Sequence, residues 1–279
     1  MTTASTPTPS LLLREDVEGV AVLTMNNPRR LNGWTRPMLA AIQQAMADAA
    51  ADPSIHVVIL TGTDPYYCAG VNLGGALELD HPRRLRQRII EENQALFELF
   101  LTYEKPLFIA ANGPAIGASV TSATLCDGII ASERATFSTP FARLGVAAEG
   151  CSSVLFARLM GASNAHRMLG PEGWAPTGTE AVEIGYAEWC VPHEQLLTRA
   201  HEIAQEWISQ GRSRTYRAEA TLDELLAINE RESVEVADSF LRRPFLKNQV
   251  RFLRSRKKWG PAAMFLGLYL TQPLWSRLI

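Results

Sequence analysis

No run in the 279-residue sequence reaches the ~18 consecutive apolar residues that a membrane-spanning helix requires. The four cysteines (Cys68, Cys126, Cys151, Cys190) contain no Cys-x-x-Cys pair. That argues against a disulfide framework or a cysteine zinc site, and it sets a reducing, cytoplasmic compartment as the expectation. The five histidines (His56, His81, His166, His193, His201) contain no His-x-His or His-x-x-x-His pair, so no metal site is expected. Charge of one sign is also missing. Lys and Arg total 27 against 29 Asp and Glu, a formal net charge of −2, which gives nucleic acid no electrostatic footprint. No Walker lysine and no Gly-x-Ser-x-Gly elbow is present, so neither a phosphate loop nor a serine hydrolase is indicated. What is there is a folded composition: 47% hydrophobic and 20% charged.

Residues 1–10 are small and polar with two prolines, and they read as a disordered tail without a secretory signal. From Leu11 the pattern changes. Leu11–Arg14, Val20–Met25 and Val57–Thr61 are short and bounded by Gly, Pro or Asn, as strands are. Apolar spacing of three and four predicts helices over Pro37–Ala51 and Arg83–Tyr103. Lys105–Ala111 reads as a buried strand, Gly117–Leu125 as a small-residue helix, and Asp127–Ala131 as another strand. Strands alternating with helices predict an α/β domain with a largely parallel sheet. After about Ser152 the pattern is helical: Val154–Met160, Asn164–Leu169, Thr179–Ile184, Glu194–Gln210, Ala218–Asn229 and Val234–Arg254.

Two segments follow buried strands and offer backbone N–H groups. Tyr66–Leu73 has small residues at Cys68, Ala69 and Gly70, which let a ligand approach the backbone. Ala110–Val120 opens a helix at Gly117, Ala118 and Ser119, where unpaired N–H groups meet the positive end of the dipole. Either alone reads as a loop or as tight packing. Together they suggest two donors aimed at one carbonyl oxygen, an oxyanion hole.

Cys68-Ala-Gly-Val-Asn-Leu73 resembles the AGxDL turn of the crotonase superfamily, the enoyl-CoA hydratases and isomerases. Asn112 to Asp127 resembles its NGxAxGGG…CD segment, Asn27–Asn32 its NRPxxxN segment, and Ala135–Pro140 the strand that follows. Thr179–Ala187 is similar to its A…GL segment. The likeness covers roughly residues 11–258, with the motifs in family order. It implies a ββα spiral core over 11–200, a helical trimerisation region over 201–258, and a homotrimer or dimer of trimers. It implies an acyl-CoA thioester substrate, with no cofactor apart from the coenzyme A that the substrate carries. By position, the N–H groups of Val71 and Ala118 would hold the thioester oxygen. Arg29, Arg30 and Leu31, with Cys68, Ala69, Gly70, Asn72 and Leu73, would hold the CoA end.

The departures decide the chemistry. Asn72 stands where the family usually has Asp, and Ala118 replaces the second glycine of GGG but keeps its N–H. The two positions at which hydratases carry glutamates hold Thr121 and Phe141. A carboxylate does stand in Ala148-Glu149-Gly150, just before a helix, and this segment resembles the peroxisomal-type Δ3,Δ2-enoyl-CoA isomerases. There one glutamate of an EG dipeptide is the base. Glu149 is therefore the candidate base, with Phe141, Leu144 and Val146 forming an apolar pocket that raises its pKa. A nearby helix dipole opposes that rise. Hydration needs a second acid or base, for which Glu172 and Glu180 are the nearest candidates. A non-catalytic acyl-CoA-binding protein is the other alternative. Residues 259–279 are apolar, follow the basic run Arg251–Lys258, and contain Pro261 and Pro273. They are expected to pack on the trimer, with a cover over the acyl pocket and a membrane-surface contact as the alternatives.

Overall fold

The computed structural model describes residues 10–71 and 80–279. In chain order the elements are β1 (Leu12–Val17), β2 (Val20–Met25), α1 (Arg36–Ala51), β3 (Val57–Gly62), α2 (Pro82–Leu101), β4 (Leu107–Ala111) and β5 (Ala115–Ile116). Then come α3 (Ala118–Thr121), β6 (Gly128–Ser132), β7 (Phe137–Ser138), α4 (Phe141–Leu144), α5 (Ser152–Leu169), α6 (Gly178–Glu183) and β8 (Trp189–Val191). Four helices finish the chain: α7 (Leu196–Ser209), α8 (Leu222–Phe240), α9 (Arg243–Ser255) and α10 (Trp259–Trp275).

The main sheet runs β1-β2-β3-β4-β6-β8. β1 and β2 form an antiparallel hairpin closed by Glu18 and Gly19, both at positive φ, the pairing a two-residue turn requires. Every later pairing in this sheet is parallel. β3 and β4 are buried along their whole length, as strands covered on both faces must be. Alternate residues feed two cores. Val58, Leu60 and Ile109 face a cluster with α1, α2 and α5, while Val57, Ile59 and Phe108 face α7 through Ala200, Ile203 and Trp207. A small second sheet pairs β5 with β7 in parallel just before α3, and so places the start of that helix.

The α/β expectation holds, with differences of detail. The helix expected over Gly117–Leu125 is α3 followed by a 3-10 turn, Ser122–Leu125. The two helices expected at Val154–Met160 and Asn164–Leu169 are one element with a kink at Gly161, whose φ is 80°. The break expected between Asn229 and Val234 falls at Leu241–Arg242 instead, because Pro244 fits only the first turn of a helix, and so opens α9. β8 is too short to show a sequence period. Residues 1–9 of the expected tail lie outside the described residues.

The apolar C-terminal segment is a continuous helix. Pro261 sits in its first turn, and Pro273 is near its end, inside the helix. Ala262 and Phe265 pack on Phe245, Leu246 and Leu253 of α9 in the same chain. With α2, α8 and α9, α10 lines a partly open, mainly apolar pocket of about 280 Å³ that includes Leu85, Phe240, Leu268 and Trp275. No helix among the described residues is long and apolar enough to cross a membrane.

Candidate active site

Three backbone segments converge at the carboxyl ends of β2, β3 and β4. Asn32 is fully buried and ties two of them together. Its Oδ1 accepts from the Asn27 N–H at 2.9 Å, and its Nδ2 lies 2.7 Å from the carbonyls of both Thr63 and Tyr66. The 68–70 strip then runs between the other two. The Ala69 N–H donates to the Leu31 carbonyl at 2.9 Å, and the Trp34 N–H to the Gly70 carbonyl at 2.8 Å. On its other side the Ile116 N–H donates to the Cys68 carbonyl at 3.0 Å. Ser119 Oγ also reaches that carbonyl, at 3.1 Å.

Gly70 must be glycine here. Its φ is +76°, and a Cβ would collide with the Ile116 carbonyl while standing 3.9 Å from the Ala118 nitrogen. The strip that ends at Val71 therefore lies directly against the first residue of α3. Ala118 is the first residue of α3, where an N–H has no intrahelical partner. Val71 bridges to Trp34 through the Gly70 carbonyl, a pattern that does not use the Val71 N–H. Among the described residues neither N–H has a backbone acceptor.

Glu149 arrives from the far side. Gly150 has φ +65°, and a Cβ there would strike the Phe97 ring at 2.5 Å and Thr121 Oγ1 at 2.7 Å. Glu149 is thus one residue from a contact with the last residue of α3, the position where a hydratase glutamate would stand. Gly150→Ala should cost about 1–3 kcal/mol from backbone strain alone. Urea denaturation checks this, and an unchanged midpoint would mean that the turn is not held as described.

Glu149 is buried, with only 9% of the residue exposed. Burial pushes its carboxyl up to about 7, and the Glu232 charge adds to the rise. The opposing influence is a hydrogen bond from Asn93 Nδ2 of α2 to Glu149 Oε2, at 2.8 Å. The dipole expected to hold this carboxylate down does not reach it through hydrogen bonds. The N–H groups of Cys151 and Ser153 at the start of α5 donate instead to Glu232 of α8, at 2.6 and 2.9 Å.

Of the expected binding residues, Arg29 and Arg30 stand exposed on the 3-10 turn Pro28–Arg30, and Leu31, also exposed, caps it beside the 68–70 strip. Cys68 is buried, and its Sγ accepts from the Gly70 N–H at 3.3 Å. Burial pushes that thiol up to about 12, so it is an unreactive packing group. The Phe141 ring is buried beside Gly117. Asn72 and Leu73 lie outside the described residues. Cys151 is buried, and its thiol donates to the Leu225 carbonyl at 3.3 Å. Glu172 pairs with Arg167 at 3.1 Å, and Glu180 closes a capping box with Thr177 on α6. Both are thus engaged away from the Glu149 turn. Asn93 and Glu232 were not foreseen. Each faces inward on a helix so rich in polar residues that the sequence does not set it apart.

Residues 15–259 match the family model described as enoyl-CoA hydratase/isomerase. An uncharacterized protein of Caenorhabditis elegans is 32% identical over 242 residues, covering 84% of this chain and 92% of that one. Human enoyl-CoA delta isomerase 2 is 36% identical over 155 residues, which is 54% of this chain and 39% of the human protein. The crystal structure of an enoyl-CoA hydratase/isomerase from Pseudoalteromonas atlantica superposes with a TM-score of 0.72 at 23% identity, covering 88% of this chain and 98% of that one. This likeness carries the fold. The chain belongs to the enoyl-CoA hydratase/isomerase family of the crotonase superfamily, and its α/β core with C-terminal helices is the crotonase fold.

Proposed function

We propose that this protein moves the double bond of a 3-enoyl-CoA to give trans-2-enoyl-CoA, with Glu149 as the single base. The observation that carries the reading is one buried carboxyl, held by Asn93 and lifted to about 7, on a turn that abuts Thr121 at the end of α3. Asn93 occupies Oε2 and leaves Oε1 to the substrate. Glu149 takes a proton from C2. The C2 electron pair joins the C3=C4 bond in a dienolate, whose negative oxygen is held by the Val71 and Ala118 N–H groups. Glu149 then returns the proton to C4, and the new double bond lies between C2 and C3. Atoms and charge balance without water or a second acid. Each oxyanion donor supplies about 2.7–4 kcal/mol in comparable sites.

A base that shuttles one proton works best when its pKa is near the working pH. The expected profile follows. The kcat/KM with 3-enoyl-CoA falls as pH drops through about 7, because protonated Glu149 cannot accept the C2 proton. A kcat/KM that stays flat down to pH 5 would contradict the assignment. The likeness to human enoyl-CoA delta isomerase 2 supports the reaction class. Arg29 and Arg30 flank the 68–70 strip and would meet the CoA phosphates. The homotrimer or dimer of trimers belongs to the same reading. So does a cytoplasmic setting, which the four free cysteines support.

The direct test supplies purified protein with a 3-enoyl-CoA and, separately, with a 2-enoyl-CoA. Conjugated product from the first and no 3-hydroxyacyl-CoA from the second supports the isomerase. Water addition to the second would establish a hydratase, and tight binding without turnover a binding protein.

A further inference from the structure

Glu232 is fully buried on α8, and the one-base reaction gives it no task. Both of its carboxylate oxygens are engaged. Oε2 accepts from the Cys151 N–H and Oε1 from the Ser153 N–H, the groups two and four residues after Glu149. These donors open α5. Left free, they would offer a carboxylate on the same turn a hydrogen-bonded seat at a helix N-terminus. A base seated there would be held in its anionic form and turned away from the substrate. The neighbouring residue acts from another side. Ser233 Oγ lies 3.0 Å from Asn93 Oδ1 and 2.7 Å from the Asn229 carbonyl, and so ties the Asn93 side chain that meets Glu149 to α8. Two consecutive residues of one helix thus bear on the candidate base.

We propose that Glu232 is a positioning residue, which fixes the Glu149 turn by holding the N–H groups of Cys151 and Ser153 and so denies them to the Glu149 carboxylate. The inference rests on Glu149 being the base. The backbone needs such a hold: Gly150 and Cys151 are both left-handed, at φ 65° and 61°. For Cys151, a residue with a Cβ, that conformation is costly and persists only where its surroundings impose it. The same buried charge acts on Glu149 electrostatically, since a like charge nearby favours the protonated form. The charged and titratable groups acting on this turn are Glu149, Cys151 and Glu232, with Arg231 and Glu224 from α8. From α2 and α3 the turn meets Asn93, Phe97 and Thr121.

The test compares Glu232→Gln and Glu232→Asp with the wild type, by kcat and KM for 3-enoyl-CoA across pH and by thermal melting. In Glu232→Gln the carboxamide keeps one acceptor, so at least one N–H is released. The expected result is a kcat lower by about tenfold or more, a KM within a factor of about two, and an acidic limb displaced to lower pH. The limb moves down because loss of the buried negative charge makes the Glu149 anion easier to form. Glu232→Asp keeps the charge but shortens the reach, so it frees the N–H groups with the like charge still present, and its kcat falls while its limb moves down less than in Glu232→Gln. A lower kcat in Glu232→Gln without movement of the limb would reduce Glu232 to a structural cap and overturn the proposal. So would unchanged kcat in both variants. Should Glu232→Gln fail to fold, Glu232→Asp decides: lower kcat with the limb moved down supports the proposal, and wild-type kcat or an unmoved limb overturns it. Wild-type protein with no isomerase activity would overturn the Glu149 reading itself, and this inference with it.

Discussion

Glu149→Gln should cut turnover of 3-enoyl-CoA by about 10²–10⁴-fold, the usual contribution of a positioned general base, and should at the same time make the protein more stable at alkaline pH. The two effects share one cause. Burial raises the Glu149 carboxyl from the usual 4.5 to about 7. Between those pH values the folded chain holds a proton that the unfolded chain has released. Stability therefore declines as pH rises across this window, and above about 7 the folded state bears the full cost of a buried charge. That cost is at most about 3 kcal/mol, from the shift in pKa. Glutamine carries no charge and escapes it. The measurement pairs kcat with the urea midpoint at pH 8 and pH 5. The variant should be inactive and more resistant at pH 8, with the stability gain fading toward pH 5. A variant no more resistant at pH 8 would mean that the carboxylate is well solvated, and would remove the physical reason for its raised pKa.

The second large effect lies in the anchor between the α/β core and the C-terminal helices. Asp127 and Arg214 form an ion pair with side chains 0% and 7% exposed. Asp127 also accepts from the Leu107 N–H at 2.8 Å and the Thr215 N–H at 2.7 Å. Arg214 Nη2 donates to the carbonyls of Phe100 and Leu125, and Nε to that of Tyr103. Arg214→Ala strands a buried carboxylate and three carbonyls. Removing one member of such a pair costs about 3–5 kcal/mol. Asp127→Ala should cost a similar amount, and the double variant less than the sum, because the second loss no longer leaves a lone charge. Urea denaturation of the three variants checks this. Single losses below about 1 kcal/mol would mean that water reaches the pair.

The sequence showed the scaffold better than the support of the site. β2, β3 and β4 were legible because strands buried on both faces are short apolar runs bounded by turn residues. The strip 68–70 and the start of α3 were legible because close backbone approach requires small side chains, and those stand in the sequence at Gly70, Gly117 and Ala118. Glu149 was legible through the resemblance of its Glu-Gly dipeptide to the isomerases. Its environment was not. Asn93 and Glu232 belong to helices rich in polar residues, and in sequence they look like solvent-facing positions. Only the packing of α2 on α8 buries Glu232 and half-buries Asn93, with Asn229 Nδ2 reaching the Gln94 carbonyl at 3.0 Å. Sequence proximity also misled the electrostatics. Glu149 precedes α5, so the helix dipole seemed to act on it. In three dimensions a carboxylate 83 positions later, Glu232, takes those N–H groups.

The central claim is that one carboxylate performs the whole reaction. The most direct measurement incubates the protein with a 3-enoyl-CoA in deuterated water and resolves the products by mass and retention time. The account predicts a conjugated 2-enoyl-CoA that takes up deuterium slowly, because the proton travels on a buried carboxyl, and predicts loss of that product in Glu149→Gln. Accumulation of the water-added 3-hydroxyacyl-CoA, or conjugated product undiminished in Glu149→Gln, would contradict it.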